Sequence, residues 1–236
     1  MSISERRERE KAERKKMIMN CARELILTKG VDEVSMRDIA KETDLSKATL
    51  YLYFPSKEEL FNELCEESAN VFLEYVRSKL DDGITGLEAL KRYWLAYLEI
   101  FGRSSDMLLL FNLRRFWFPA LPIVPSGENA NTAVRYTYML YSLIKDMIQQ
   151  GIAEGSFDAG TDTDMVTRTI ISLFTYIVEN AAKLPKDEKT SIAVIGELRN
   201  VFQIILRGIA REGIDRSCFF LPESIPDDIY QLDAKL

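Results

Sequence analysis

Apolar residues in this chain recur three and four positions apart almost from end to end, and no alternating stretch stands beside a hairpin turn signal. That spacing puts side chains on one face of a helix, whereas a half-buried strand needs every second position, so the pattern predicts an all-α fold. With 236 residues and 47% hydrophobic content, the chain has apolar surface enough for a sizeable core. The longest apolar run, from Ile170 to Val178, is short and broken by Ser172 and Thr175. A spanning helix needs roughly 20 such residues. The charged first stretch is unlike a signal peptide, and a soluble, cytoplasmic protein with no membrane partner is expected.

Helix punctuation is dense near the N-terminus. A first helix is expected from about Arg6 or Arg14 to Lys29, carrying Ile18, Ala22 and Leu25 on one stripe and ending at Gly30. Ser35 offers an N-cap to a short second helix ending near Glu42, with Asp38 in its first turn. Ser46 can cap a third, from Lys47 to about Phe54, which Pro55 closes. Ser56 and Glu59 form a capping-box pattern for a long fourth helix reaching about Leu80. Further helices are expected at 84–102, 104–116, 128–154, 162–184 and 188–211, followed by an irregular tail.

The stretch SMRDIAKETDLSKATLYLYF, from Ser35 to Phe54, has the dimensions that major-groove binding needs. Two short helices around a tight turn hold the second one out as a probe. Ile39, Ala40, Leu45, Leu50 and Phe54 form the inward set, which leaves Lys47, Ala48, Thr49, Tyr51, Leu52 and Tyr53 pointing outward or sideways. The run IAKETDLSKATLYLYFPSKEEL closely resembles the DNA-binding signature of the TetR family of repressors. The resemblance implies an N-terminal three-helix helix-turn-helix DNA-binding domain (1–57) and a larger helical ligand-binding and dimerisation domain (58–236). It also implies an operator-binding set of Arg37, Ser46, Lys47, Ala48, Thr49, Tyr51, Leu52, Tyr53 and Lys57. Two positions depart from the family pattern. Asp44 stands where glycine is frequent, at a turn where aspartate tolerates a left-handed backbone, and Leu52 stands where a polar or aromatic residue is frequent.

Chemistry assigns the roles within that set. Lys47, at the start of the probe helix, can donate to guanine O6 and N7, and Ala48 is small enough to admit a thymine methyl. Thr49, Tyr51, Tyr53 and Lys57 suit phosphate contacts, which fix register without reading sequence. Charge is distributed accordingly: residues 1–57 hold 13 Lys+Arg against 10 Asp+Glu, in a chain whose net charge is −6. The cations of the first stretch, from Arg6 to Lys16, alternate with Glu5, Glu8, Glu10 and Glu13, so they fit either a phosphate-reaching arm or a solvated, self-paired helix.

Composition argues against other classes. The chain has no histidine, which removes Ser-His-Asp and Cys-His nucleophile arrangements and His-ligated metal sites together. Cys21, Cys65 and Cys218 are too scattered for a disulfide framework or a thiolate metal site. No metal, no cofactor and no enzymatic activity are expected; the alternative reading is an α-helical enzyme or lipid carrier with a fortuitous helix-turn-helix.

In the C-terminal part, the helices at 162–184 and 188–211 are apolar on two sides and need two packing partners. With the resemblance this points to a homodimer seam through Val194, Leu198, Val201, Phe202, Ile205 and Ile209. Aromatic residues crowd the middle of the chain. A pocket for a small apolar or amphipathic effector is expected among Trp94, Tyr97, Phe111, Arg114, Trp117, Tyr138 and Phe174, with Arg114 available to a carboxylate or phosphate. The expected function is a cytoplasmic, nucleoid-associated repressor, released from a palindromic double-stranded operator by its effector.

Overall fold

The computed structural model describes residues 2–103, 132–182 and 192–221. Its helices are α1 (Ile3–Lys29), α2 (Met36–Glu42), α3 (Lys47–Tyr53), α4 (Lys57–Ser78), α5 (Gly86–Arg103), α6 (Thr132–Ala153), α7 (Thr163–Ala182) and α8 (Ile192–Ile209). A 3-10 turn at Arg216–Phe219 follows, capped by Asp215, in a tail expected to be irregular. The fold is all-α among the described residues, with one isolated bridge between Phe157 and Ala210. The helix expected at 104–116 lies outside the described residues.

The first helix is longer than expected. It starts at Ile3 because Ser2 and Glu5 form a capping box, Glu5 N donating to Ser2 Oγ at 3.1 Å and Ser2 N to Glu5 Oε2 at 2.6 Å. The turn between α2 and α3 runs through Asp44 at φ 53°, the left-handed conformation that its side chain tolerates.

The chain divides into two compact units, Met1–Glu67 and Ser68–Leu236. In the first, α2 packs on α1 and α3 packs on α2, around a core that includes Ile18, Ala22, Ile39, Leu50, Phe54 and Phe61. Two ion pairs tie α1 to the first turns of α4, Lys15 to Glu63 at 2.6 Å and Arg23 to Glu67 at 2.5 Å.

In the second unit α5 packs against α6 and α8, α6 against α7, and α7 against α8. Glycine permits the closest of these approaches. A Cβ on Gly86 would come within 2.3 Å of Met147 O and Gly151 N, so α5 could not lie this near α6 with any other residue there. The core is aromatic. Trp94 is fully buried, 4.1 Å from the Phe174 ring and 4.6 Å from Phe202, and its indole N–H donates to Leu198 O at 3.1 Å. Tyr97 stacks edge-on to Phe174 at 4.3 Å and to Phe72 at 5.6 Å. Among the described residues of this unit, one charged group is buried with them: Glu99 accepts from Tyr75 OH at 2.5 Å, with the Lys79 ammonium 3.5 Å away.

Candidate nucleic-acid interface

Within the first unit, local hydrogen bonds shape the surface around α3. Ser35 and Asp38 exchange bonds in both directions at the start of α2, Asp38 N donating to Ser35 Oγ and Ser35 N to Asp38 Oδ2. The Ser35 hydroxyl and backbone hold the Asp38 carboxyl below the usual carboxylate range. At the next helix, Ser46 Oγ accepts from Thr49 N at 3.0 Å and lies 2.8 Å from Thr49 Oγ1. Ser56 Oγ accepts from Glu59 N at 3.1 Å at the start of α4. Three hydroxyl caps therefore set the start and direction of three consecutive helices.

The seven residues of α3 divide sharply. Leu50 is 0% exposed and Phe54, just past the helix end, 2%, so they root it in the core; Leu45 in the preceding turn is half-buried. On the opposite side Leu52 is 82% and Tyr51 47% exposed, flanked by exposed Ser46, Lys47 and Ala48. Thr49 and Tyr53 are half-buried at the edges, and Arg37 is exposed on α2. Lys57 has a position that sequence reasoning did not foresee: its ammonium donates to Val31 O at 2.6 Å, clipping the loop after α1 to the start of α4. No residue pattern signals this bond, because its acceptor is a loop carbonyl 26 residues away.

Such an arrangement suits groove insertion. A short helix that projects a cation, a small residue, an aromatic and a bare leucine has no local reason to expose them together. It matches the width and chemistry of a duplex major groove. Because Ser46 sets where this helix starts, Ser46→Ala is expected to lower the stability of the first unit by about 1 kcal/mol, read by thermal denaturation. An unchanged melting curve would mean that water caps the helix equally well.

Other candidate chemistry is weak. The groove lined by Asn20, Cys21, Glu24, Leu25, Thr28 and Glu42, about 390 Å³ in volume, contains a thiol, but burial and then Glu42 and Glu24 push the Cys21 pKa up, away from a reactive thiolate. No group of three or more His, Cys, Asp or Glu side chains that could hold a metal ion is present among the described residues. No helix among them is long and apolar enough to cross a membrane.

In the second unit, Trp94, Tyr97 and Phe174 of the expected pocket come together in the aromatic core, while Tyr138 is exposed. Phe111, Arg114 and Trp117 lie outside the described residues. Of the expected seam, Val194, Leu198, Phe202, Ile205 and Ile209 are buried within the unit and Val201 is half-buried. Among the described residues, the large apolar side chains exposed on these two helices are Met165, Leu173 and Tyr176 of α7 and Ile204 of α8.

Residues 18–64 match the family of bacterial regulatory proteins described as the tetR family. An HTH-type transcriptional regulator of Bacillus subtilis, YvdT, itself uncharacterized, is 30% identical over 169 residues, 70% of this chain and 79% of its own length. Among solved structures, a tetR-family regulatory protein from Rhodococcus RHA1 superposes with a TM-score of 0.65 at 18% identity, over 84% of this chain and 97% of that one. FadR of Thermus thermophilus, a TetR-family transcriptional repressor solved in complex with lauroyl-CoA, superposes with a TM-score of 0.55 at 20% identity, over 85% of this chain and 98% of that one. The match over α1 to α4 and the relatedness to YvdT along most of both chains carry one conclusion: the protein belongs to the tetR family of bacterial helix-turn-helix transcriptional regulators.

Proposed function

We propose that this protein is a repressor that binds a palindromic, double-stranded operator as a homodimer and is released by a small apolar or amphipathic effector. The observation that carries the DNA reading is the division of α3 between a rooted face, Leu50 with Phe54, and a bare face, Lys47, Ala48, Tyr51 and Leu52. In this reading Lys47 and Ala48 contact base edges, Leu52 meets thymine methyls, and Arg37, Ser46, Thr49, Tyr51 and Tyr53 hold phosphates and sugars. Lys57, whose ammonium donates to Val31 O beside the start of α4, is assigned a phosphate contact in addition.

Titration of the DNA upstream of the protein's own gene, with single-base variants, tests these roles. Lys47→Ala is expected to lose discrimination at one base pair of each half-site, on the order of 1–3 kcal/mol. An equal loss on every sequence would reduce Lys47 to an anchor and move base reading to Ala48 or Leu52.

The homodimer reading rests on the outward apolar side chains of α7 and α8. Leu173, Tyr176 and Ile204 would meet their copies across a two-fold axis, and the buried Leu198 and Phe202 would support that face from behind. For the effector, the aromatic group of Trp94, Tyr97 and Phe174 offers an apolar lining, and the lauroyl-CoA bound by FadR has the amphipathic character proposed. Gene regulation of this kind places the protein in the cytoplasm, on the nucleoid. No catalytic or cofactor role is proposed for a chain without histidine.

A further inference from the structure

Among the described residues, the first half of α1 is a helix with nothing to pack on. Residues 2–14 are all exposed, and exposed helices this short are marginal in water. This one is held by local bonds alone: the Ser2–Glu5 capping box, and the i,i+4 pairs Arg6–Glu10 at 2.9 Å and Arg9–Glu13 at 2.8 Å. Those bonds occupy three of its four acids. Three cations are left over, Arg7, Lys11 and Arg14, for which the described residues show no ion pair. The fourth acid, Glu8, lies about a quarter-turn to the side of them.

The leftover cations are placed in line. Positions 7, 11 and 14 continue, in steps of three and four, the stripe of Ile18, Ala22 and Leu25 that packs into the core of the first unit. They therefore point to the side on which α2 and the core of the first unit lie. The base of this overhang is pinned beside the end of α3, because the Lys15 ammonium pairs with Glu63 at 2.6 Å and sits 5.4 Å from the ring of Phe54. The 12 residues that overhang, Ile3 to Arg14, reach about 18 Å, or about five base pairs of a duplex.

We infer that this overhang is a second DNA-contact element, in which Arg7, Lys11 and Arg14 neutralise backbone phosphates outside the stretch read by α3. The inference rests on the proposed DNA-binding reading and extends it. A stiff, capped helix presents its charges with little ordering cost, so the element contributes affinity and salt dependence without sequence preference.

The test compares full-length wild type with the triple variant Arg7→Gln, Lys11→Gln, Arg14→Gln, and with the charge-preserving Arg7→Lys, Lys11→Arg, Arg14→Lys. All three positions are solvent-exposed, and glutamine, lysine and arginine are good helix formers. Binding to a random-sequence duplex is measured at several salt concentrations, and hydroxyl-radical footprints are taken on DNA upstream of the gene. The neutral variant is expected to flatten the plot of log affinity against log salt by about 0.9 for each phosphate it no longer neutralises, up to about three units per subunit. It should also shorten the protected region at each outer edge by about five base pairs, while base preference stays as in wild type and the charge-preserving variant behaves as wild type. An unchanged slope and footprint in the neutral variant would overturn the inference and leave the DNA-binding reading intact; failure of the wild type to bind any duplex would overturn both. Loss of binding to phosphatidylglycerol vesicles with an unchanged DNA slope would assign the stripe to a membrane surface instead and overturn it too.

Discussion

Leu50→Ala and Leu52→Ala are expected to behave oppositely although they lie two residues apart. Leu50 is fully buried, so removing three carbons leaves a cavity, and the loss is about 3 kcal/mol or more. Domains are typically stable by only about 5–15 kcal/mol, so that is a large share of what a small helical unit can hold. The variant should be cut faster by protease within residues 1–67 and lose DNA binding through unfolding. Leu52→Ala removes a side chain that touches mainly solvent, and stability should stay within about 0.5 kcal/mol of wild type. Its DNA affinity should fall all the same, because the bare leucine is proposed to meet the groove. Equal melting temperatures for the two variants would contradict the assignment of inner and outer faces of α3.

The second large effect is expected at Trp94. Trp94→Ala removes the side chain that joins α5 to Phe174 of α7 and Phe202 of α8, and it strips Leu198 O of the indole donor. Truncations of buried aromatics of this size cost about 3–5 kcal/mol. Trp94→Phe keeps a ring and loses the hydrogen bond, so about 1–3 kcal/mol is expected from the orphaned group together with the smaller volume. Thermal denaturation checks both. A loss of under about 1 kcal/mol for Trp94→Ala would mean that the ring borders open space, as the wall of a cavity does, rather than a filled core.

Which parts of this were legible beforehand follows from the range of the interactions. Ser35, Ser46 and Ser56 announce α2, α3 and α4 because a cap joins residues three apart, and such spacing is visible in any sequence. Asp44 was readable for the same reason, its left-handed φ of 53° being a property of one residue. The start of α1 was also signalled, by Ser2 and Glu5 at capping-box spacing, but the absence of an apolar stripe over residues 3–16 drew the expected start to Arg6 or Arg14.

Long-range placement was not legible. Periodicity marks α8 as apolar on two sides, yet it does not separate Phe202, buried within its own unit, from Ile204, 69% exposed. Both fit a helical stripe, and only the positions of α5 and α7 decide which is inside. The bond from Lys57 to Val31 O spans 26 residues, and no local pattern encodes it. The meeting of Trp94, Tyr97 and Phe174 likewise depends on how α5 and α7 cross, although their aromatic character singled them out.

The claim that α3 reads operator sequence is tested most directly by selecting binding sites from a pool of random DNA duplexes with the full-length protein. Two α3 helices related by a two-fold axis predict enrichment of an inverted repeat, its half-site centres about 34–36 Å apart or a multiple of that. Binding to the enriched repeat should exceed binding to random duplex by at least about a thousandfold at physiological salt, and Lys47→Ala should erase part of that preference. A pool that binds but converges on no sequence would contradict base reading by this helix.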